Sequence, residues 1–156
     1  MVAQVPIARL AEGRRRVVMI ALAASCFVGA CLLVVVAGVS GGMAYAALLV
    51  ACMMVGVGEC FHTTALMPLV ADLAPASLRG RYMAAMGLSW WVGLAIAPAL
   101  GMPALSLSPT TAFLAAAAVS FAAAISALAL ERRLPDAARL TPQPRGADAI
   151  TSTESR

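Results

Sequence analysis

An acid and the chain's single histidine lie one helical turn apart inside a long apolar segment. The segment is GVGECFHTTALMPLVADLAP, residues 56–75, and the two residues are Glu59 and His62. At a spacing of i and i+3, both side chains lie on nearly the same face of a helix. Carboxyl and imidazole groups are the usual acceptors and donors of protons in proteins. The pair therefore predicts proton exchange or ligand contact in apolar surroundings.

The composition around this pair predicts an integral membrane protein. The chain has 156 residues, of which 62% are hydrophobic and 12% charged, whereas soluble domains are nearer half apolar and a quarter charged. Glu59 and Asp72 are the only charged residues within 17–78, and residues 82–130 contain none. Apolar runs of this length predict membrane spans.

Four apolar spans predict an all-α fold of four transmembrane helices. A span of about 20 residues crosses a hydrocarbon core of about 30 Å at 1.5 Å per residue. The predicted spans are residues 17–37, 43–70, 82–101 and 110–130. We interpret residues 1–16 as a cytoplasmic loop or the end of a preceding helix. Residues 131–156 predict a disordered cytoplasmic tail, because from Asp136 onward the composition turns to proline, alanine, threonine, serine and mixed charge.

The positions of the arginines predict the orientation of the spans. All eleven basic residues are arginine, and the connections 38–42 and 102–109 carry no charge. By the positive-inside rule, an even number of spans places the arginine clusters on the cytoplasmic face. We expect a multi-pass protein of the inner cell membrane with both termini in the cytoplasm. The clusters are Arg14 to Arg16, Arg79 with Arg81, and Arg132 with Arg133.

The residue types exclude several other functions. The arginines lie at span ends rather than on a solvated patch, so no nucleic-acid partner is expected. The four cysteines lie within spans without the spacing of a zinc site, and Cys60 points about 100° away from Glu59 on a helix. We expect no metal and no cofactor. No serine–histidine or paired-aspartate set indicates an enzyme, and the first apolar run is too long for a signal peptide.

Two segments resemble the major facilitator superfamily of transporters. RLAEGRRR, residues 9–16, is similar to the glycine, acid and arginine signature of its cytoplasmic loops. Residues 69–101, LVADLAPASLRGRYMAAMGLSWWVGLAIAPALG, resemble the connection between the tenth and eleventh helices: an acid, a proline and R-G-R before a glycine-rich span. The resemblance covers about residues 4–135. It implies helices nine to twelve of a facilitator-type twelve-helix bundle and a small-molecule substrate.

The resemblance also implies a gate and a helix-packing motif. Acids and arginines at inner helix ends pair in that family when the inside is closed, which assigns Asp72, Arg79 and Arg81 to a cytoplasmic gate. The alternative is that the arginines only anchor the spans. The third span is similar to a glycine–proline antiporter motif, although small residues also serve close helix packing. Its residues are Gly87, Gly93, Pro98 and Gly101.

Two tryptophans in the third span are candidates for substrate contact. Trp90 and Trp91 lie about 13 Å along the helix from Arg81, which is too deep for an interfacial aromatic belt. We expect one of them to face the substrate cavity or to pack within the bundle, and the other to face lipid.

These observations favour a proton-coupled secondary transporter that exports small amphipathic molecules, with Glu59 as the titrating group. The alternative for Glu59 and His62 is structural, as a protonated carboxyl hydrogen-bonded to a neighbouring helix and a packed imidazole. The alternative for the chain is a stand-alone four-span protein, acting as a dimeric small exporter or an assembly subunit. The expected partners are the lipid bilayer, the substrate, protons, and either the remaining transporter helices or a second copy.

The arginine rule makes a direct prediction about topology. A reporter fused within the glycine-rich turn at residues 38–42 should lie outside the cytoplasm, whereas one fused between residues 74 and 78 should lie inside. Paired alkaline phosphatase and fluorescent protein fusions measure this. A cytoplasmic reporter at the glycine-rich turn would contradict the orientation.

Overall fold

The computed structural model describes residues 15–134, which form four long α-helices. Helix α1 spans Arg16–Ala37, α2 spans Ala44–Leu73, α3 spans Arg79–Leu107 and α4 spans Pro109–Glu131. A short 3₁₀ turn, Gly41–Met43, precedes α2. All four helices are long and apolar enough to cross a membrane. The predicted all-α membrane fold with four spans is confirmed.

Helix α1 is the centre of the described structure. It packs against both α2 and α4, and eight of its residues are buried. Alanine predominates among them, which lets neighbouring backbones approach closely. Helix α3 has no buried residue and touches α2 and α4 only sparsely. The chain therefore consists of a packed set of three helices with α3 at its side.

Helices α1 and α2 approach each other closely at Gly58. A Cβ atom added to Gly58 would lie 3.2 Å from the carbonyl oxygen of Ala23, from Cβ of Cys26 and from Cε1 of Phe27. Only a residue without a side chain fits this approach at no cost. Because neighbouring residues on a helix point about 100° apart, the contact at Gly58 turns the next residue, Glu59, away from α1.

Helix α3 is longer than the predicted third span of residues 82–101. It begins at Arg79 and continues to Leu107, so most of the expected uncharged link at 102–109 is helical. No charged residue interrupts this stretch, and α4 starts almost at once. Ser108 caps α4, since its hydroxyl accepts a hydrogen bond from the backbone N–H of Thr111 at 3.3 Å, and a proline follows in the first turn.

The predicted terminal segments lie largely outside the described residues. Of the segment 1–16, the structure describes Arg15 and Arg16, and Arg16 begins α1. Of the segment 131–156, it describes residues 131–134, and Glu131 ends α4. The interpretation of the remaining residues as a loop and a tail stays a prediction.

The contact at Gly58 can be tested against a nearby glycine. Gly58→Leu forces a side chain into α1, and we expect it to lower the free energy of unfolding by about 1–3 kcal/mol. Gly56→Leu is the matched control, because a Cβ at Gly56 has open space around it, so stability should be unchanged or slightly higher. Unfolding of the purified protein by SDS in mixed micelles measures both. Equal destabilisation by the two substitutions would contradict the close approach.

Candidate functional site

A groove lies between α2 and α3, where the two helices diverge. It consists of two adjoining recesses with volumes of about 430 Å³ and about 390 Å³. Both recesses are lined by His62, Leu66, Met86 and Trp90, and we call them together the α2–α3 groove. Volumes in this range suit small-molecule ligands.

Glu59 and His62 both line this groove. Glu59 borders one recess and His62 borders both. Both are half-buried, and neither side chain makes a hydrogen bond or an ion pair with another residue within 15–134. Glu59 lies at the middle of α2, since α2 runs from Ala44 to Leu73. The carboxyl and imidazole groups are therefore brought together at mid-helix and directed into an open space.

The hydroxyl groups beside Glu59 are used within α2. The Thr63 hydroxyl donates to the backbone carbonyl of Glu59 at 2.8 Å, and the Thr64 hydroxyl donates to the carbonyl of Cys60 at 2.7 Å. Pro68 lies inside the same helix and has no N–H to donate to the carbonyl four residues before it. Among the polar side chains of α2 that line the groove, those of Glu59 and His62 are the ones that make no hydrogen bond within residues 15–134.

The two tryptophans form the opposite wall of the groove. Trp90 lines both recesses, and Trp91 lines the recess that contains Glu59. Their exposed fractions are 53% and 70%, so the more exposed Trp91 also has a large free surface. The structure places both indoles at the groove, where sequence analysis expects only one.

The residues of the glycine–proline motif lie along α3 without close helix contacts. Gly87 and Gly93 line the groove, and Pro98 lies inside the helix. A Cβ atom added to Gly87, Gly93 or Gly101 would meet no atom within 4 Å among the neighbours that the structure describes. Close helix packing by this motif therefore stays a prediction, and it would require contacts with partners other than residues 15–134.

The acid of the predicted gate is paired with an arginine that sequence analysis does not assign to it. Nη2 of Arg16, at the start of α1, lies 2.6 Å from Oδ2 of Asp72, near the end of α2. Arg79 and Arg81 are exposed and make no ion pair within the described part of the chain. The antiparallel arrangement of α1 and α2 brings Arg16 and Asp72 to the same end of the bundle.

The guanidinium of Arg16 is almost completely buried. Its side chain is only 1% exposed, whereas that of Asp72 is 47% exposed. Nε and Nη1 of Arg16 are buried and have no hydrogen-bond partner among residues 15–134. A buried cation with one partner costs free energy, so the carboxylate of Asp72 is the group that compensates most of the charge.

A second ion pair joins α1 to α4 at the same end. Nη1 of Arg15 lies 2.7 Å from Oε1 of Glu131, and the side chain of Arg15 is largely exposed. In the sequence, Arg15 and Arg16 and the arginines after the fourth span served only as markers of orientation. The predicted topology could have indicated this pairing. With four antiparallel spans, the start of the first span and the ends of the second and fourth lie at one membrane face.

The described residues contain no group of three or more histidine, cysteine, aspartate or glutamate side chains placed to hold a metal ion. Cys31 and Cys52 line one small recess together with Phe113. Two thiols and a phenyl ring form an apolar wall there, which suits packing between α1, α2 and α4.

Comparison with known proteins gives one family. The sequence model described as the Major Facilitator Superfamily matches residues 1–154. No curated protein sequence and no solved structure matches the chain.

Mutations can distinguish how much the ion pairs of Arg16 and of Arg15 contribute to stability. Asp72→Asn leaves the buried guanidinium without a counter-charge, so we expect the free energy of unfolding to fall by about 1–3 kcal/mol. Glu131→Gln breaks the more exposed pair and should cost less than about 1 kcal/mol. SDS-induced unfolding in mixed micelles compares them. A larger loss from Glu131→Gln would show that burial of Arg16 is not what makes its pair important.

Proposed function

The chain belongs to the Major Facilitator Superfamily, and from this premise we propose that it acts in proton-coupled secondary transport of a small molecule through the α2–α3 groove. Glu59 is the proton-carrying group in this proposal, and His62, Trp90 and Trp91 contact the substrate. The family supports membrane transport in general. The coupling and the site residues are the proposal.

The position of Glu59 carries this proposal. The residue lies at the middle of a helix that can span a membrane, it lines a groove of small-molecule size, and it has no partner among the described residues. An acid at the centre of a span costs about 3 kcal/mol on insertion scales, and such residues mark ion or substrate pathways. Removal from water favours the protonated carboxyl, and access to water favours the carboxylate. A carboxyl that alternates between these surroundings can bind and release a proton.

The pair of Arg16 and Asp72 supports a gate at one end of the pathway. Asp72 lies thirteen residues after Glu59 on α2, about 20 Å along the helix. In the proposal the pair closes the arginine-bearing end of the bundle and separates when that end opens, with Arg79 and Arg81 as further arginines at the same end. By the positive-inside rule this end faces the cytoplasm of a cell with an inner membrane.

Export is the proposed direction, and the reason lies in α3. Its glycine–proline segment resembles an antiporter motif of exporters, and the groove beside it is lined by apolar side chains with few polar ones. An apolar groove favours amphipathic molecules over strongly hydrated ones.

The exposed surface of α3 supports assembly with further helices. A helix with no buried residue beside a groove containing Glu59 leaves an ionisable group on the side of the described bundle, which lipid does not favour. We propose that the four helices are the last four of a twelve-helix transporter, in which the other half completes the cavity. A dimer of the chain is the alternative. Eight further apolar spans in the reading frame upstream of Met1 would support the first assembly, whereas a ribosome-binding site directly before Met1 would support the dimer.

Substitution of Glu59 tests the coupling. In the protein expressed from the whole reading frame that contains this chain, Glu59→Gln should reduce substrate-dependent proton flux at least tenfold, because the amide has no titratable proton. The measurement uses proteoliposomes loaded with a pH-sensitive dye and a panel of amphipathic compounds. Glu131→Gln removes one acid outside the groove and should leave the flux unchanged. Normal flux in Glu59→Gln would remove Glu59 from the mechanism while leaving transport itself intact.

A further inference from the structure

We propose that the α2–α3 groove binds lipophilic organic cations, meaning molecules with a bulky apolar or aromatic body and a single delocalised positive charge. This inference assigns a substrate class to the groove described under the proposed function, and it rests on that function only because the two share the groove. It makes a claim about binding that can be tested without transport.

The charge of the groove carries the first step. Glu59 is the only acid that lines either recess, and no arginine lines them. The arginines of α3, Arg79 and Arg81, lie at the start of the helix, about 13 Å or more along its axis from Trp90. An anion in the groove would face the Glu59 carboxylate with the imidazole of His62 as the only basic side chain among the lining residues, whereas a cation would supply Glu59 with a counter-charge.

The shape and chemistry of the walls carry the second step. Trp90 and Trp91 line the recess that contains Glu59, and Met67, Met83 and Met86 line it as well. Indole is the aromatic group that binds cations best through its face, and quaternary ammonium groups are recognised in this way. Methionine is flexible and polarisable, so it adapts to apolar bodies of different shape. The walls therefore favour a cation that sheds its water easily.

The committed hydroxyl groups exclude polyhydroxylated solutes as the preferred ligand. Two hydroxyls lie at the groove, those of Thr63 and Ser89. Thr63 donates to the carbonyl of Glu59 at 2.8 Å, and Ser89 donates to the carbonyl of Met86 at 2.7 Å. Their protons are thus used within their own helices. A sugar could donate to these hydroxyl oxygens and to Glu59, but its remaining hydroxyls would face the apolar side chains of the groove without partners, and that costs free energy.

The same lining excludes small metal cations. Hard divalent ions require six or more oxygen ligands or retain several waters. The groove offers one carboxylate among apolar side chains, so it cannot replace the hydration shell of such an ion. A delocalised organic charge has a weak hydration shell and does not meet this obstacle.

The tryptophans make the test direct. The chain contains two tryptophans, and both line the groove, so the change in tryptophan emission that is lost when Trp90 and Trp91 are replaced by phenylalanine reports on this site. Tetraphenylphosphonium is the probe, and it is titrated into the protein expressed from the whole reading frame that contains this chain and purified in detergent micelles. Tetraphenylborate, an anion of nearly the same shape, and a neutral tetraphenyl compound are titrated in parallel. Titrations of free tryptophan in the same micelles correct for partitioning of each compound into detergent.

We expect saturable quenching by the cation, with an affinity at least tenfold higher than for the anion or the neutral compound. Glu59→Gln should weaken binding of the cation at least tenfold and leave binding of the neutral compound unchanged. Glu59→Asp keeps the charge and should retain most of the affinity. Glu131→Gln, the same chemical change outside the groove, should bind like the unmodified protein. Circular dichroism of each variant checks that the helix content is preserved, and size-exclusion chromatography checks that the protein does not aggregate.

Two results would overturn the proposal. One is equal affinity for the cation in Glu59→Gln and the unmodified protein. The other is tighter binding of the anion or the neutral compound than of the cation. If Glu59→Gln does not fold, the comparison of the three probes on the unmodified protein still decides. Because no proton gradient is involved, a failure here is distinguishable from a failure of proton coupling, in which the cation binds but proton flux is unaffected by Glu59→Gln.

Discussion

The free-energy cost of an acid at the middle of a membrane span is the constraint on which the site depends. Glu59 must not face lipid, because an ionisable group there costs about 3 kcal/mol on insertion scales. Its orientation is set by the neighbouring residue: Gly58 packs against α1 so closely that α2 can present only its other faces to the groove. A glycine that carries no chemistry thus determines where the carboxyl of the next residue points.

Helix α2 links this acid to the ion pair at the arginine-bearing end. Glu59 lies at its middle and Asp72 near its end, with Pro68 between them. A proline inside a helix removes one backbone hydrogen bond and is a point where the helix bends most easily. The charge of Arg16 is compensated by Asp72 across the α1–α2 interface. The proposed groove and the proposed gate therefore share one structural element, whose tilt affects both.

Hydropathy predicted the number of spans because a membrane imposes a length and an apolar composition on every crossing segment. It predicted the bounds of α3 less well. The link expected after residue 101 contains no charge, and the helix continues until Ser108 caps the next one. Two prolines, Pro98 and Pro103, lie inside α3. From local sequence, a proline predicts the end of a helix. In apolar surroundings, however, the remaining backbone hydrogen bonds are strengthened, which favours continuing the helix.

The sequence by itself determined that the chain has four membrane-spanning helices, that an acid and a histidine share one helix face, and that the arginines lie at span ends. These properties follow from the helical period and from the length and composition of each apolar run, which are local features of the sequence. Only the tertiary structure decided that both tryptophans line the recess that contains Glu59 and that Asp72 pairs with Arg16 rather than with Arg79 or Arg81. Which side chains meet depends on how far each helix is rotated and how closely it approaches its neighbour. Contacts between residues distant in the chain, such as that of Gly58 on α2 with Ala23 and Phe27 on α1, set both quantities.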